Sequence, residues 1–210
     1  MKQQRKLISL VGMTGCGKTS VGKVLASRIG ADFIDVDDEI VKRHGSIRAI
    51  FDERGDEGFR EVEYETLQSI IDGVSSGGNE SSDGNESSVG NESSDGTKSS
   101  DRVIIISCGG GLPTYEKSAR LIAERTLVVW LRRSPDSIPD DSEVLLRPPV
   151  NGSRENYKKL LDARCPIYRR VSDYSFYNSF PKRTAREIAK RFGFACKLNP
   201  KNKRKSSKTN

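Results

Sequence analysis

The chain has 210 residues, a formal net charge of +7 at pH 7 and 34% hydrophobic residues. This length suits one domain that buries a hydrophobic core of its own. The four cysteines lie far apart without a CxxC pair, which excludes a zinc finger and favours reduced thiols. The sequence shows no apolar run long enough for a signal peptide or a membrane span, so we expect a cytoplasmic protein without membrane association.

Positive charge is concentrated in residues 197–210, which read KLNPKNKRKSSKTN and contain no acid. No aromatic residue follows Phe194, so the segment does not indicate base stacking. We interpret 197–210 as a disordered, solvated basic tail and expect no specific nucleic-acid partner. Salt-dependent nucleic-acid binding through this tail is the alternative.

Short apolar runs alternate with amphipathic ones through most of the chain. The strand-like runs are KLISLV, DFIDV, RVIIIS, TLVVWL and DYSFYN. The helix-like segments are VGKVLASRI, EIVKRH, IRAIFDE, FREVEYETLQSII, TYEKSARLIAE, NYKKLLDARCPIYRRV and TAREIAKRF. This alternation predicts βαβ units and therefore an α/β fold with five parallel strands.

A repeat interrupts this alternation at 75–101, with the hexads GNESSD, GNESSV, GNESSD and GTKSSD. Val89 is the only apolar residue in these copies, so they bury too little surface to offset the loss of backbone entropy. We expect a disordered insertion within a single domain that spans 1–196. A tolerated loop expansion is favoured because long surface loops cost little closure entropy, and a regulatory or partner-binding role is the alternative.

Residues 12–19, GMTGCGKT, follow the first predicted strand, precede a predicted helix and fit the pattern GxxxxGK[ST]. Glycines let such a backbone curl until its N–H groups surround a phosphate. Lys18 then supplies charge to the β- and γ-phosphates, and the Thr19 hydroxyl is placed to bind Mg²⁺. The predicted nucleotide-binding residues are Gly12, Thr14, Gly15, Cys16, Gly17, Lys18, Thr19 and Ser20, with Cys16 as a small filler. With no second domain to drive, a kinase for small molecules is favoured over a switch or a motor.

The second predicted strand ends in acids, FIDVDD, at 33–38. Because alternate strand residues point the same way, we expect Asp35 and Asp37 to converge at the carboxyl edge of the sheet, beside the phosphate loop. One carboxylate could hold Mg²⁺ through water while the other hydrogen-bonds an acceptor hydroxyl. Asp38 is interpreted as the cap of the following helix.

Two further segments suggest an acceptor site. Arg60 lies at the start of a predicted helix with Glu63 one turn later, which suits bidentate binding of a carboxylate but is also common on protein surfaces. The strand RVIIIS is followed by CGGG, whose glycines 109–111 let backbone approach a ligand closely. No acid ends that strand, which moves the metal-holding role toward Asp35.

The ordered set of motifs resembles the shikimate kinase family. GMTGCGKT, FIDVDDEI, the segment 51–63, SCGGG, LLRPPV and LDARCPIYRRV occur in that family's order, over nearly the whole chain outside the repeat and the tail. The resemblance implies a P-loop NTPase-type three-layer sandwich like that of the nucleoside monophosphate kinases. It also implies ATP- and Mg²⁺-dependent phosphorylation of the 3-hydroxyl of shikimate, giving shikimate 3-phosphate and ADP on the pathway to chorismate and aromatic amino acids. We expect a monomer.

The resemblance also implies residue roles. Asp35 would hold Mg²⁺ through water together with Thr19, and Asp37 would bind the acceptor hydroxyls and serve as the base. Lys18 and Arg147 would act on the transferring phosphate, with Arg147 in a lid at 140–154. The residues expected to bind shikimate are Asp37, Arg60, Gly109, Gly110, Gly111 and Arg164, with Glu63 orienting Arg60 and with Phe51 and Phe59 as pocket walls.

Two other functions stay open at this stage. A related small-molecule kinase with a gluconate-like acceptor would share the phosphate loop, but Arg60 and Arg164 at one carboxylate argue against it. A catalytically weak nucleotide-binding regulatory module is the second alternative, and the intact set of catalytic residues argues against it. Quinate as a further acceptor is not excluded by the sequence.

Overall fold

The computed structural model describes residues 7–75, 103–138, 144, 150 and 153–194. The expectations for the hexad repeat, for Arg147 and for the basic tail fall outside these residues. Of the helices in the described part, none is both long enough and apolar enough to cross a membrane.

The described residues form one parallel sheet in the order β2-β3-β1-β4-β5. Every neighbouring pair in it is parallel, as the alternating sequence pattern predicts. The central strand β1 is buried at every position because helices cover both faces of the sheet. The strands are β1 (Leu7–Val11), β2 (Asp32–Asp35), β3 (Ile104–Ser107), β4 (Leu127–Arg132) and β5 (Tyr174–Tyr177).

Helices lie on both sides of this sheet and close two hydrophobic cores. Val21, Leu25 and Ile188 of α1 and α6 belong to one core, and Ile40 and Leu67 of α2 and α3 belong to the other. The result is the expected three-layer α/β sandwich. The helices are α1 (Lys18–Ile29), α2 (Val36–His44), α3 (Ile47–Ser75), α4 (Glu116–Arg125), α5 (Arg154–Val171) and α6 (Pro181–Arg191), with short 3-10 turns at Leu112–Thr114 and Pro135–Ser137.

Helix α3 consists of two helical segments that meet at Gly55, where φ is 69° and ψ is −172°. Only glycine adopts this backbone conformation without strain. The bend brings the Phe51 ring onto the Phe59 ring, with their centroids 4.2 Å apart. The two segments correspond to the separate helices predicted from IRAIFDE and FREVEYETLQSII.

The end of β2 differs from the sequence prediction. Strand β2 ends at Asp35 and α2 begins at Val36, so Asp37 lies in the first helical turn and not on the strand. The Asp35 carboxylate caps α2 by accepting a hydrogen bond from the backbone N–H of Asp37 at 3.2 Å. The assignment of the cap to Asp38 is therefore wrong, because the helix starts too early for Asp38 to lie at its cap position.

Candidate active site

The loop after β1 turns through three glycines with positive φ angles. Gly12, Gly15 and Gly17 have φ angles of 141°, 80° and 91°. A side chain at Gly12 would collide with the carbonyl oxygen of Leu131, and one at Gly17 would collide with the Asn178 amide. Glycine is therefore required at these positions for both conformation and space.

Three side chains from distant parts of the chain hold consecutive carbonyl groups of this loop. Tyr157 Oη donates to the carbonyl oxygen of Thr14 at 2.9 Å, and Arg133 Nη1 donates to that of Gly15 at 3.2 Å. Asn178 Nδ2 donates to the carbonyl oxygen of Cys16 at 2.8 Å. Because a trans peptide points its C=O and N–H in opposite directions, carbonyls held outward turn the following N–H groups toward the inside of the loop.

Sequence reasoning missed these three supporting residues. Arg133 and Asn178 each follow a strand directly, at the carboxyl edge of the sheet, and that position could have marked them as candidates. Tyr157 carries no comparable signal, because it lies within a helix and not at the carboxyl end of a strand.

Lys18 and Thr19 begin α1 at the mouth of the loop. The Lys18 ammonium is buried and donates to the carbonyl oxygens of Gly12 and Met13 at 2.9 and 3.0 Å. Thr19 Oγ1 donates to Asp35 Oδ2 at 2.7 Å. The neighbouring Ser20 is exposed.

The pair of Thr19 and Asp35 fits a magnesium ion. Mg²⁺ prefers hard oxygen ligands, keeps several waters and takes its other ligands from phosphates. The Thr19 hydroxyl and the Asp35 carboxylate are such ligands, and they adjoin the phosphate loop. A second contact fixes Asp35, since its other oxygen caps α2.

The two cysteines closest to the site are protonated fillers. Cys16 and Cys108 are each 1% exposed. Burial raises the pKa of Cys16 and raises that of Cys108 to about 12, because a thiolate is poorly solvated there. This agrees with the prediction that Cys16 fills space in the loop.

The glycine loop after β3 touches each of the other site elements. A Cβ on Gly109 would lie 3.0 Å from Asp37 Oδ1 and would collide with the Glu63 carboxylate. A Cβ on Gly110 would lie 2.6 Å from Thr14 Oγ1. On Gly111 it would lie 2.5 Å from the Arg60 guanidinium. The missing side chains allow four polar groups to gather around this backbone.

Arg60 and Glu63 form an ion pair that is buried rather than exposed on the surface. Their side chains are 12% and 2% exposed. Burial raises the pKa of Glu63 to about 7, although the positive charge of Arg60 opposes this shift, and the negative charge of Asp37 adds to it. Arg60 also donates to Asp56 Oδ1 at 3.0 Å, and its guanidinium lies 5.2 Å from the centre of the Phe59 ring.

Arg164 of α5 reaches the same region from the other side. Its Nη1 lies 4.0 Å from the Met13 sulfur, and Tyr168 follows it one turn later on the same helix. Tyr168 Oη donates to the carbonyl oxygen of Gly110 at 2.6 Å. Arg60 therefore lies at the glycine loop and Arg164 at the adjoining phosphate loop, and their joint binding of one acceptor stays a prediction. Tyr168 was not predicted.

A cavity of about 220 Å³ lies beside Asn178, at the start of α6. Tyr177 and Phe180 line it and are 52% and 67% exposed. Thr184 also lines the cavity, and its hydroxyl donates to Asn178 Oδ1 at 3.0 Å. Asn178 thus connects this cavity to the phosphate loop.

Comparison with known proteins places these motifs in one family. The family model described as shikimate kinase matches residues 14–94 and 91–193. The shikimate kinase of Bordetella avium is 32% identical over 79% of this chain and 68% of its own length. That of Persephonella marina is 30% identical over 77% of this chain and 82% of its own length.

Solved structures agree with this assignment. The shikimate kinase of Acinetobacter baumannii in complex with shikimate has a TM-score of 0.65 at 26% identity, and 88% of this chain and 91% of that chain are covered. A gluconokinase of Sinorhizobium meliloti has a TM-score of 0.50 at 16% identity over 91% of this chain and 94% of that chain, which shows a shared fold alone. The chain belongs to the shikimate kinase family.

Proposed function

We propose that this chain transfers the γ-phosphoryl group of ATP to the 3-hydroxyl of shikimate, giving shikimate 3-phosphate and ADP on the route to chorismate and the aromatic amino acids. The observation that carries the proposal is the glycine loop at 109–111. Gly109 adjoins Asp37 and Gly111 adjoins Arg60. Gly110, between them, adjoins the phosphate loop. A carboxylate for hydroxyl groups and a guanidinium for a carboxyl group suit a carboxylated polyol.

The nucleotide phosphates bind in the loop at 12–19. Its inward N–H groups and the Lys18 ammonium bind the β- and γ-phosphates. Thr19 and Asp35 would hold Mg²⁺, which would supply positive charge to neutralise the phosphate groups during transfer.

The purine base of ATP lies against Phe180 in the cavity at the start of α6. An aromatic ring that is 67% exposed offers a stacking surface to a base. The chain of contacts from this cavity through Asn178 to Cys16 supports the placement, because it joins the base side of the site to the phosphate side.

The acceptor binds with its carboxyl group on Arg60 and Arg164 and with its ring hydroxyls toward Asp37. Glu63 orients Arg60, and the Arg60 guanidinium lies over the face of the Phe59 ring. Phe51 stacks on Phe59 and forms the wall of the pocket with it. The backbone of Gly109, Gly110 and Gly111 completes the site.

In the reaction, the acceptor oxygen attacks the γ-phosphorus while the bond from that phosphorus to the β–γ bridging oxygen breaks. ADP leaves with that oxygen, and the acceptor hydroxyl gives its proton to Asp37. Lys18 stabilises the charge on the transferring group, and Arg147 joins it from a lid at 140–154. Closure of this lid excludes water, which would otherwise accept the phosphoryl group.

The same proposal covers the organisation of the protein. One kinase domain at 1–196 carries the repeat at 75–101 as a disordered insertion and is followed by the basic tail at 197–210. The enzyme acts as a cytoplasmic monomer.

The test is ADP release by the full chain with ATP and Mg²⁺, measured with shikimate, quinate, gluconate or no acceptor. We expect release that depends on shikimate. Release with gluconate alone would identify the other kinase reaction, and equal release without any acceptor would overturn the assignment of an acceptor. Omission of Mg²⁺ should abolish release in every case.

A further inference from the structure

Helix α5 contacts both halves of the site through two tyrosines. Tyr157 Oη donates to the carbonyl oxygen of Thr14 in the phosphate loop, and Tyr168 Oη donates to that of Gly110 in the glycine loop. The two tyrosines are about three helical turns apart, so their rings lie on the same face of the helix.

Both rings are held firmly enough to fix their hydroxyls. Tyr157 and Tyr168 are 1% and 0% exposed and are among the largest fully buried side chains in the described residues. The Tyr168 ring packs on Trp130 of the sheet, with the ring centroids 5.8 Å apart. A buried phenol keeps its proton because burial raises the pKa of both groups, so each hydroxyl remains a donor.

Each hydrogen bond fixes the direction of one peptide group. In a trans peptide, a C=O held toward the helix turns the next N–H away from it. Tyr157 therefore turns the N–H of Gly15 toward the inside of the phosphate loop. In the same way, Tyr168 turns the N–H of Gly111 away from the helix, next to Arg60.

The two loops also touch each other where the tyrosines hold them. A Cβ on Gly110 would lie 2.6 Å from Thr14 Oγ1 and 3.0 Å from the Thr14 backbone nitrogen. A small rotation of either peptide would therefore change the spacing between the two loops. Such spacing matters in phosphoryl transfer, because an ångström of misalignment costs orders of magnitude in rate.

We infer that Tyr157 and Tyr168 are positioning residues, of which Tyr157 orients the phosphate loop for the nucleotide and Tyr168 orients the glycine loop for the acceptor. This inference rests on the proposed function for the identity of the acceptor. Each of the two tyrosine hydroxyls should therefore affect the binding of a different substrate. If the tyrosines only stabilised the fold, removal of either hydroxyl would not affect one substrate more than the other.

The test compares Tyr157→Phe and Tyr168→Phe, which remove one hydroxyl each and leave the buried ring in place. Calorimetry measures ADP binding and shikimate binding without turnover, and kinetics give the two KM values. We expect Tyr157→Phe to weaken nucleotide binding about five-fold and to leave shikimate binding within two-fold. Tyr168→Phe should do the reverse.

The matched control is Tyr115→Phe, which removes a tyrosine hydrogen bond to Glu61 outside both loops. It should leave both affinities unchanged, and it should lower the thermal midpoint less than the other two variants do, because Tyr115 is only partly buried. A loss of stability in the two loop variants without a separate effect on the two ligands would overturn the inference. Equal weakening of both ligands by either loop variant would also overturn it.

Amide hydrogen exchange gives a second readout that needs no acceptor. Tyr168→Phe should speed exchange at Gly111 and not at Gly15, and Tyr157→Phe should do the opposite. If the wild-type chain binds ADP but not shikimate, the proposed acceptor is wrong, while exchange and ADP affinity still decide the roles of the tyrosines. Unchanged exchange at both glycines would count against the inference.

Discussion

Arg60 and Glu63 form an ion pair whose carboxylate is 2% exposed and whose guanidinium contacts the glycine loop at Gly111. Burial of the Glu63 carboxylate costs free energy, and the ion pair with Arg60 offsets part of this cost and holds the guanidinium in one position. Under the proposed function, the pair connects acceptor binding to the protonation state of one buried acid, which pH can change.

Glu63 should make stability fall as pH rises. Its pKa is raised by burial from 4.5 to about 7, so between these values the folded protein holds a proton that the unfolded chain has lost. Relative to Glu63→Gln, the wild type should lose on the order of 2 kcal/mol of unfolding free energy between pH 5 and pH 8. Denaturant unfolding of both proteins at the two pH values measures this. A constant difference between them would contradict the raised pKa.

The same titration should act oppositely on acceptor binding. Ionised Glu63 holds Arg60 in place, so the KM for shikimate of the wild type should fall as pH rises from 6 to 8. Glu63→Gln should show a higher KM with little dependence on pH over this range. If the variant retains the wild-type pH dependence, another group is responsible.

Gly111→Ala should displace Arg60 without straining the backbone. Gly111 has an ordinary φ of −93°, but an added Cβ would lie 2.5 Å from the guanidinium. We expect the KM for shikimate to rise about ten-fold, because the arginine has to move, while the KM for ATP stays unchanged. Gly73→Ala is the matched control, since that position is open and helical. Equal KM values in wild type and Gly111→Ala would remove Arg60 from the acceptor site.

The sequence predicts the sheet well because each strand is a short apolar run with helical segments on either side. It also predicts the pairing of Arg60 with Glu63, since the spacing of one helical turn is visible locally. It misplaces Asp37 because strand β2 ends two residues earlier than the acidic run suggests. A strand end shifted by so little changes which residues share a face.

The contacts that support the two loops were not predictable, because the partners are far apart in the sequence, although the place of Asn178 directly after a strand could have marked that residue as a candidate. Tyr157 is 143 residues from Thr14, Asn178 is 162 residues from Cys16, and Tyr168 is 58 residues from Gly110. A backbone carbonyl offers no side-chain identity to match, so the sequence alone contains no pattern for such contacts. Only the folded sheet brings these groups together.

Two substitutions of Asp35 should distinguish its role in metal binding from its role in helix capping. One oxygen accepts from Thr19 and the other caps α2 through the N–H of Asp37. Asp35→Asn keeps the cap and loses the charge, whereas Asp35→Ala loses both. Both variants should need roughly ten-fold more Mg²⁺ for half-maximal activity, and only Asp35→Ala should lose about 1 kcal/mol of unfolding free energy. Wild-type Mg²⁺ dependence in Asp35→Asn would exclude this carboxylate from the metal site.

Phe180→Ala should weaken ATP binding by removing the exposed ring beside Asn178. Base stacking on an aromatic ring contributes about 1–3 kcal/mol, so we expect the KM for ATP to rise roughly ten-fold or more. The KM for shikimate should not change. Val41→Ala removes another exposed apolar side chain, 49% exposed on α2, and should change neither constant. A KM for ATP that stays at the wild-type value in Phe180→Ala would place the base elsewhere.

Asp37→Asn should remove the group that accepts the proton of the acceptor hydroxyl while leaving the fold intact. Asp37 contacts the glycine loop, where an added Cβ on Gly109 would lie 3.0 Å from its Oδ1. We expect kcat to fall about 10²- to 10⁴-fold, the usual contribution of a positioned base, with the KM for ATP unchanged. Asp38→Asn is the matched control, because Asp38 is the next residue in the same helical turn and is exposed. It makes the same change of charge, so any effect shared by both variants is electrostatic and not specific to the site. A kcat in Asp37→Asn close to that of the control would show that the proton leaves by another route.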